Sequence, residues 1–365
     1  MSEIQVKSQR GLYEILIGKA LLEKTGSLLR EMGLKGKGMI VAQPAVAALY
    51  LKKIEAALKA KKFEVHTYAL ADGEAAKSEP ELFRLYHALC DRDFERCDFL
   101  IALGGGVTGD LTGFAAATYL RGVPFVNIPT TLLAQVDSAI GGKTGINLRE
   151  GKNLVGAFYP PRAVISDITT LKTLPERELH ASLAEVVKYG MIRDARLFRF
   201  LERRGESILA KEPASLEKIV EASAAIKAEV VSRDEYETKG ERMILNFGHT
   251  FAHGFEQALH YSKLLHGEAV SIGMVCAAQL AVKLKMFPPD DWERLVSVLQ
   301  HFRLPVSLSG LDVDRESVLL AMNRDKKKKS GKLRFVLPVE IGKVVIRDDI
   351  PLGSVQDILM EQGAK

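Results

Sequence analysis

Over its first 170 residues the chain alternates short β-rich runs with helical stretches, and this alternation restricts the fold more than any other feature. The predicted strands are YEILIG from Tyr13, GMIVA from Gly38, FEVHTYAL from Phe63, DFLIAL from Asp98, PFVNIP from Pro124 and AVISD from Ala163. Between them, VAALYLKKIEAALKA and PELFRLYHALCDRDF read as helices. A parallel sheet covered on both faces is the architecture such an order specifies. After about Thr173 the texture changes to long amphipathic helices: PERELHASLAEVVKYGM, ASLEKIVEASAAIKAEVVS, a histidine-rich segment and DWERLVSVLQHF. Two short strand-like runs, LRFVLPV and KVVIRD, lie near the end. We therefore expect an α/β domain over residues 1–170 and a mostly helical domain over residues 171–365.

Composition narrows the function classes. The formal net charge of +5 is modest, and acidic and basic residues are interspersed, which argues against a nucleic-acid partner while leaving room for a small anionic substrate. Cys90, Cys97 and Cys276 show no CxxC spacing, so a reducing, cytoplasmic setting is expected. The opening MSEIQVKSQRG lacks the apolar core of a signal peptide. The longest apolar run, AVSIGMVCAAQLAV from Ala269, is too short to span a bilayer and carries Ser271, Gly273 and Gln279, so it reads as a buried helix with no membrane partner.

Chemistry concentrates in a few places. His249, His253, His260 and His266 fall within 18 residues, half of the chain's eight histidines. His249 and His253 are four apart on one helical face, and neutral imidazole is a ligand for zinc-like ions. In HASLAEVVKYGM, Glu185 and Lys188 are three apart, the spacing of a surface ion pair. Their neighbours Ala184, Val186, Val187 and Tyr189 argue instead that at least one points inward, where a carboxylate could complete a metal site with two histidines. In DFLIALGGGVTGD an apolar strand meets three glycines and a helix start, which admits either a phosphate or a tight structural turn; Asp110 follows in the helix. It is not the GxGxxG fingerprint. Thr130 and Thr131 end a predicted strand, facing a ligand crevice or capping the next helix. Lys143 and Lys152 each follow a glycine turn, suited to anion capture or to solvent.

Taken in order, GGGVTGD, IPTTLLAQVDSAIGGKTGIN, GKNLVGAFYPP, AEVVKYG, LNFGHTFAH and LHGEAVSIGM resemble the 3-dehydroquinate synthases, and the likeness runs over nearly the whole chain. The resemblance implies an α/β nucleotide-binding domain followed by a mostly helical metal-binding domain. It implies a cytoplasmic homodimer that uses NAD and a zinc or cobalt ion. Its substrate is a sugar phosphate, 3-deoxy-D-arabino-heptulosonate 7-phosphate, converted to 3-dehydroquinate and phosphate on the shikimate route. The implied sequence is oxidation at C5, phosphate elimination, re-reduction, ring opening and intramolecular aldol closure, with NAD regenerated.

Residue by residue, the resemblance implies metal ligands at Glu185, His249 and His266. It puts NAD on Gly105, Gly106, Val107, Asp110, Thr130, Thr131 and Lys152, on the pair Glu74 and Lys77, and under the run Thr170, Leu171, Lys172 and Thr173. Lys143, Asn153, His253 and Lys326 or Lys327 are implied to hold the substrate phosphate; Lys227, Arg242 and Asn246 its carboxylate. Asp137 and Lys188 complete the substrate set, and Arg121 is implied to reach the neighbouring subunit's site. The departing phosphate can serve as its own base, in which case His253 orients and hydrogen-bonds. The chain departs from the family pattern at Ala42, Gln43 and Pro44, where an acidic or small polar residue usually reaches the adenosine ribose; Gln43 offers a neutral hydrogen bond in its place.

Three other readings are set against this one. A sister cyclase acting on a sugar phosphate without a carboxylate would leave Lys227, Arg242 and Asn246 unpaired. A glycerol-dehydrogenase-like enzyme shares the fold and a GGG turn but would accumulate NADH. A non-catalytic metal-binding protein would bind zinc without NAD dependence.

Overall fold

All six predicted strands of the first 170 residues pair into a single seven-stranded sheet, joined by one that was not predicted. The computed structural model describes residues 1–328 and 333–365, and the side chains of all of these except 323–328. The strands are β1 (Ser2–Ser8), β2 (Gly11–Gly18), β3 (Lys37–Ala42), β4 (Glu64–Ala69), β5 (Phe99–Gly104), β6 (Phe125–Pro129), β7 (Lys143–Leu148), β8 (Gly151–Phe158) and β9 (Ala163–Asp167). The sheet order is β1-β2-β9-β6-β5-β3-β4, with every pairing parallel except β1 with β2. Strand β1 adds an antiparallel edge, and β7 and β8 form a separate hairpin. The helices around it are α1 (Thr25–Glu31), α2 (Pro44–Ala60), α3 (Glu79–Cys90) and α4 (Gly106–Thr118).

Alternation along the central strands sorts two cores onto opposite faces. Ile40 and Ala42 of β3, with Phe99, Ile101 and Leu103 of β5, pack with Leu28, Leu29, Tyr50, Ile54 and Leu58 of α1 and α2. Met39, Val41 and Leu100 pack on the other side with Leu82, Leu85 and Leu89 of α3 and Leu111, Phe114 and Ala115 of α4. Strands buried on both faces are why these runs are almost continuously apolar.

The remaining elements are α5 (Glu176–Ile192), α6 (Ala195–Leu209), α7 (Pro213–Arg233), α8 (His249–Ala258), α9 (His266–Lys283), α10 (Pro289–His301), α11 (Arg315–Lys328), the hairpin β10 (Phe335–Glu340) and β11 (Lys343–Arg347), and α12 (Leu352–Glu361). The chain divides into two compact units, Met1–Leu174 with Leu216–Tyr236, and Pro175–Ser215 with Glu237–Lys365. The sequence expectation was a single boundary between residues 170 and 171; here most of α7 packs with the first unit. Hydrogen bonds at its end and just beyond it show why: the Lys7 amide donates to Ser232 Oγ at 3.0 Å, and the Gln9 amide to Glu235 Oε2 at 2.7 Å. Helix α9, the apolar run, is buried along most of its length. Among the described residues no helix is long and apolar enough to cross a membrane.

Candidate active site

In the second unit, α5 buries Glu185 and Lys188 completely, with side-chain exposures of 1% and 2%, and the two are in direct ion-pair contact. Their spacing is that of a solvated pair, but the apolar residues on either side of them put this face of α5 inside the unit. Lys188 contacts Oε2 and leaves Oε1 turned towards the two histidines. Facing Oε1 are His249 Nε2 at 3.4 Å and His266 Nε2 at 3.7 Å. The ligand atoms of these three residues all lie within 4.8 Å of one another. One buried carboxylate and two imidazole nitrogens aimed at it form the donor set of a three-ligand zinc site, so the residues fit the ion.

Local sequence explains the convergence. Gly248, at φ 80°, turns the chain into α8 so that His249 is its first residue; a Cβ there would meet the Met274 backbone nitrogen of α9 at 2.8 Å. His266 is the first residue of α9, and Gly267 behind it packs against the Ala181 backbone of α5, where no side chain would fit. Glu268 accepts the Leu265 amide at 2.8 Å and binds Arg177 of α5 through both oxygens, holding the start of α9 to α5. His249 Nδ1 lies 3.1 Å from the Phe247 carbonyl, which can only accept, so Nδ1 donates there and Nε2 is the nitrogen turned towards Glu185. Burial opposes charge on Glu185, but the Lys188 ammonium and the two imidazoles hold its carboxyl well below the usual range. For His266, burial likewise opposes the charged form, yet bonds to Glu185 and Glu256 push its pKa up to about 10.

The first unit builds a different site at the carboxyl ends of its parallel strands. Strand β5 ends at Gly104 and α4 begins at Gly106, with no side chain capping its amides. A Cβ at Gly105 would stand 3.2 Å from Thr131 Cγ2, and one at Gly106 would stand 3.1 Å from Ser138 Oγ. Glycine therefore keeps a cradle open where uncapped helix amides favour an anion, which fits a dinucleotide pyrophosphate. Of the two threonines after β6, Thr130 is buried and its amide donates to the Gly104 carbonyl at 3.0 Å. Thr131 takes the capping role, accepting the Ala134 amide at 3.2 Å.

Beside the cradle, Lys77 gathers three of the other expected residues. Its buried ammonium donates to Asp110 at 2.7 Å and, at close contact, to Asn153, with Glu74 at 3.9 Å. Burial pushes the Asp110 carboxyl up, and Lys77 opposes that shift. Asn147, missed by sequence reasoning, joins the group: it donates to Glu74 at 2.8 Å and accepts the Asn153 amide at 2.9 Å. Its place in the β7–β8 hairpin was hidden because that glycine- and lysine-rich stretch reads as loop. Lys143 and Lys152 are exposed, at or next to the starts of β7 and β8. Thr170, Leu171, Lys172 and Thr173 lie in a short 3-10 helix (Ile168–Thr173), fixed by Asp167 at its start and by the Tyr50 hydroxyl, which donates to the Thr170 carbonyl at 3.0 Å and contacts Thr173. Gln43 directs its amide to the Ala71 carbonyl at 3.0 Å.

The other expected residues fall as follows. Asp137, on a π-helical turn, is bound by Lys227 of α7. Arg242 is buried beside Glu237 at 3.3 Å, and Asn246 is half-buried on the same 3-10 segment, Glu241–Asn246. The His253 ring stands 5.6 Å from that of His249. Arg121 is exposed on a turn where Leu120, Arg121 and Gly122 all have positive φ. The side chains of Lys326 and Lys327 lie outside the described residues.

The chain matches the family model for the 3-dehydroquinate synthase N-terminal region over residues 67–181 and that for the C-terminal region over residues 182–328. A curated 3-dehydroquinate synthase of Nitrosomonas europaea is 48% identical over 339 residues, covering 93% of this chain and 91% of that one. Among solved structures, 2-epi-5-epi-valiolone synthase of Streptomyces hygroscopicus, with NAD+ and Zn2+ bound, superposes with a TM-score of 0.89 at 30% identity, covering 99% of this chain and 98% of that one. A 2-deoxy-scyllo-inosose synthase complexed with carbaglucose-6-phosphate, NAD+ and Co2+ gives 0.89 at 26% identity, covering 99% and 100%. With both regions matched in order and 48% identity along nine-tenths of a curated relative, the chain belongs to the 3-dehydroquinate synthase family.

Proposed function

We propose that this chain converts 3-deoxy-D-arabino-heptulosonate 7-phosphate into 3-dehydroquinate and inorganic phosphate, using NAD and a zinc or cobalt ion. The observation that carries this reading is the 48% identity to a curated 3-dehydroquinate synthase, against 30% and 26% to the two sister cyclases. Lys227, Arg242 and Asn246 support it as hydrogen-bond donors of the kind that binds a substrate carboxylate.

Glu185, His249 and His266 hold the ion, which when bound supplies Lewis acidity at the C5 hydroxyl. Gly105, Gly106, Val107, Asp110, Thr130, Thr131, Lys152, Glu74, Lys77 and the Thr170–Thr173 run hold NAD, which supplies a reversible hydride acceptor for C5 and is not consumed. Lys143, Asn153, His253 and Lys326 or Lys327 bind the phosphate as it leaves, and Lys227, Arg242 and Asn246 orient the carboxylate. Asp137 and Lys188 complete the substrate contacts. With the phosphate oxygens positioned to take the C6 proton, His253 orients and hydrogen-bonds.

We further infer a cytoplasmic homodimer in which Arg121 serves the neighbouring subunit's site. Its support is the family match together with the exposure of Arg121 on its turn, where a second subunit could reach it. The deciding experiment is phosphate release from 3-deoxy-D-arabino-heptulosonate 7-phosphate with zinc and substoichiometric NAD, while NADH absorbance is followed. Many phosphates per NAD without net NADH is the expected result. No release, from protein shown to hold both metal and NAD, would transfer the assignment to a sister cyclase.

A further inference from the structure

Helix α8 presents two functional side chains two turns apart on one face, His249 and, seven residues on, Glu256. Glu256 is largely buried, and its Oε1 lies 3.0 Å from His266 Nδ1. The other ring nitrogen of His266 faces Glu185 Oε1 at 3.7 Å, and its ring centroid is 5.4 Å from that of His249. Imidazole has two nitrogens, and an acceptor at one fixes the lone pair on the other. His249 obtains this from a neutral carbonyl, that of Phe247; His266 obtains it from a carboxylate.

We propose that Glu256 is a positioning residue for the metal centre: it accepts a hydrogen bond from His266 Nδ1, orients the ring so that Nε2 faces Glu185, and strengthens His266 as a ligand once Nε2 has given up its proton. The inference rests on the metal site proposed above. A carboxylate behind a ligating histidine makes the imidazole a stronger donor, and loss of such a partner typically costs about 10–100-fold in metal affinity. The geometry is economical of elements: α8 supplies one ligand directly and orients the ligand at the start of α9. Glu256 touches neither substrate nor cofactor in this scheme, so it acts only through His266.

The test is zinc affinity by chelator competition, with the cobalt-substituted protein's visible absorption as a second readout, in Glu256→Gln and Glu256→Ala. Glu256→Gln keeps an acceptor oxygen and the side-chain volume but removes the charge. Zinc should bind about ten-fold or more weaker in Glu256→Gln and weaker still in Glu256→Ala, with a shifted cobalt band and with NAD affinity unchanged. If Glu256→Ala does not fold, Glu256→Gln decides alone. Zinc affinity within two-fold of the parent and an unshifted cobalt band would overturn the inference, as would lowered thermal stability with metal binding intact. Failure of the parent protein to bind stoichiometric zinc would instead remove the metal site on which it rests.

Discussion

Lys227 donates to Asp137 twice, to its backbone carbonyl at 2.7 Å and its carboxylate at 2.5 Å, fastening α7 to the π-helical turn after β6. Lys227→Met keeps most of the apolar stem and removes both bonds. Loss of a buried donor from two acceptors should cost ~1–3 kcal/mol of stability in the ligand-free protein, read from urea unfolding. An unchanged midpoint would mean that this pair does not hold α7 in place.

His249→Ala removes one of two imidazoles and leaves Glu185 buried with less to offset its charge. Metal analysis of the purified variant should find the stoichiometric ion gone, while NAD binding in the first unit persists. A variant that still carried a full complement of metal would invalidate the ligand assignment.

The proton on His266 gives metal binding a pH signature. In the metal-free protein its pKa is raised from 6.5 to about 10, so at neutral pH the ring is charged and an incoming ion must displace a proton. Calorimetry in buffers of different ionisation enthalpy should detect release of about one proton per zinc near pH 7.5. Affinity should rise with pH through the same range. The stability of the metal-free protein should move oppositely. A raised pKa contributes stability that is full below about 6.5 and lost as pH climbs through about 10. Binding without proton release would contradict the charged ring.

Arg242 is assigned to the substrate carboxylate. Arg242→Ala should raise the substrate KM strongly and leave the NAD dissociation constant near that of the parent. Equal losses in both would indicate a structural role, perturbing more than one ligand.

Mixed dimers examine Arg121. Subunits carrying Arg121→Ala, combined with subunits inactivated at Lys188, should recover part of the activity if Arg121 serves the opposite site, because one of the two sites is then intact. Mixtures as inactive as their parents would place Arg121 in its own chain's chemistry.

What was legible in the sequence followed from strong, local patterns. The apolar runs at β3, β5, β6 and β9 announced themselves because a strand covered on both faces needs apolar residues throughout. Strand β1 and the β7–β8 hairpin did not, since β1 alternates polar residues at a solvated edge and the hairpin is rich in glycine and lysine. The inward turn of Glu185 and Lys188 could be inferred from their apolar neighbours, and their spacing is that of an ion pair; the geometry by which His249 and His266 face the carboxylate could not, because it depends on what α8 and α9 bring opposite it. Glu256 illustrates the limit. Its spacing from His249 put it on the right face, but nothing in the order of residues shows that the start of α9 places His266 against it. The membership of α7 was hidden for the same reason, being decided by the partners of Lys227, Ser232 and Glu235 far away in the chain.

The return of residues 216–236 to the first unit means that the backbone passes from one unit to the other three times. No single cut yields either unit as a continuous polypeptide. A fragment ending at Leu174 would lack the helix that grips Asp137, and a fragment beginning at Pro175 would carry that helix with its binding surface missing. Gene dissection at the apparent domain boundary would therefore give two incomplete pieces, and proteolysis at any one junction would leave the halves tethered by the other two.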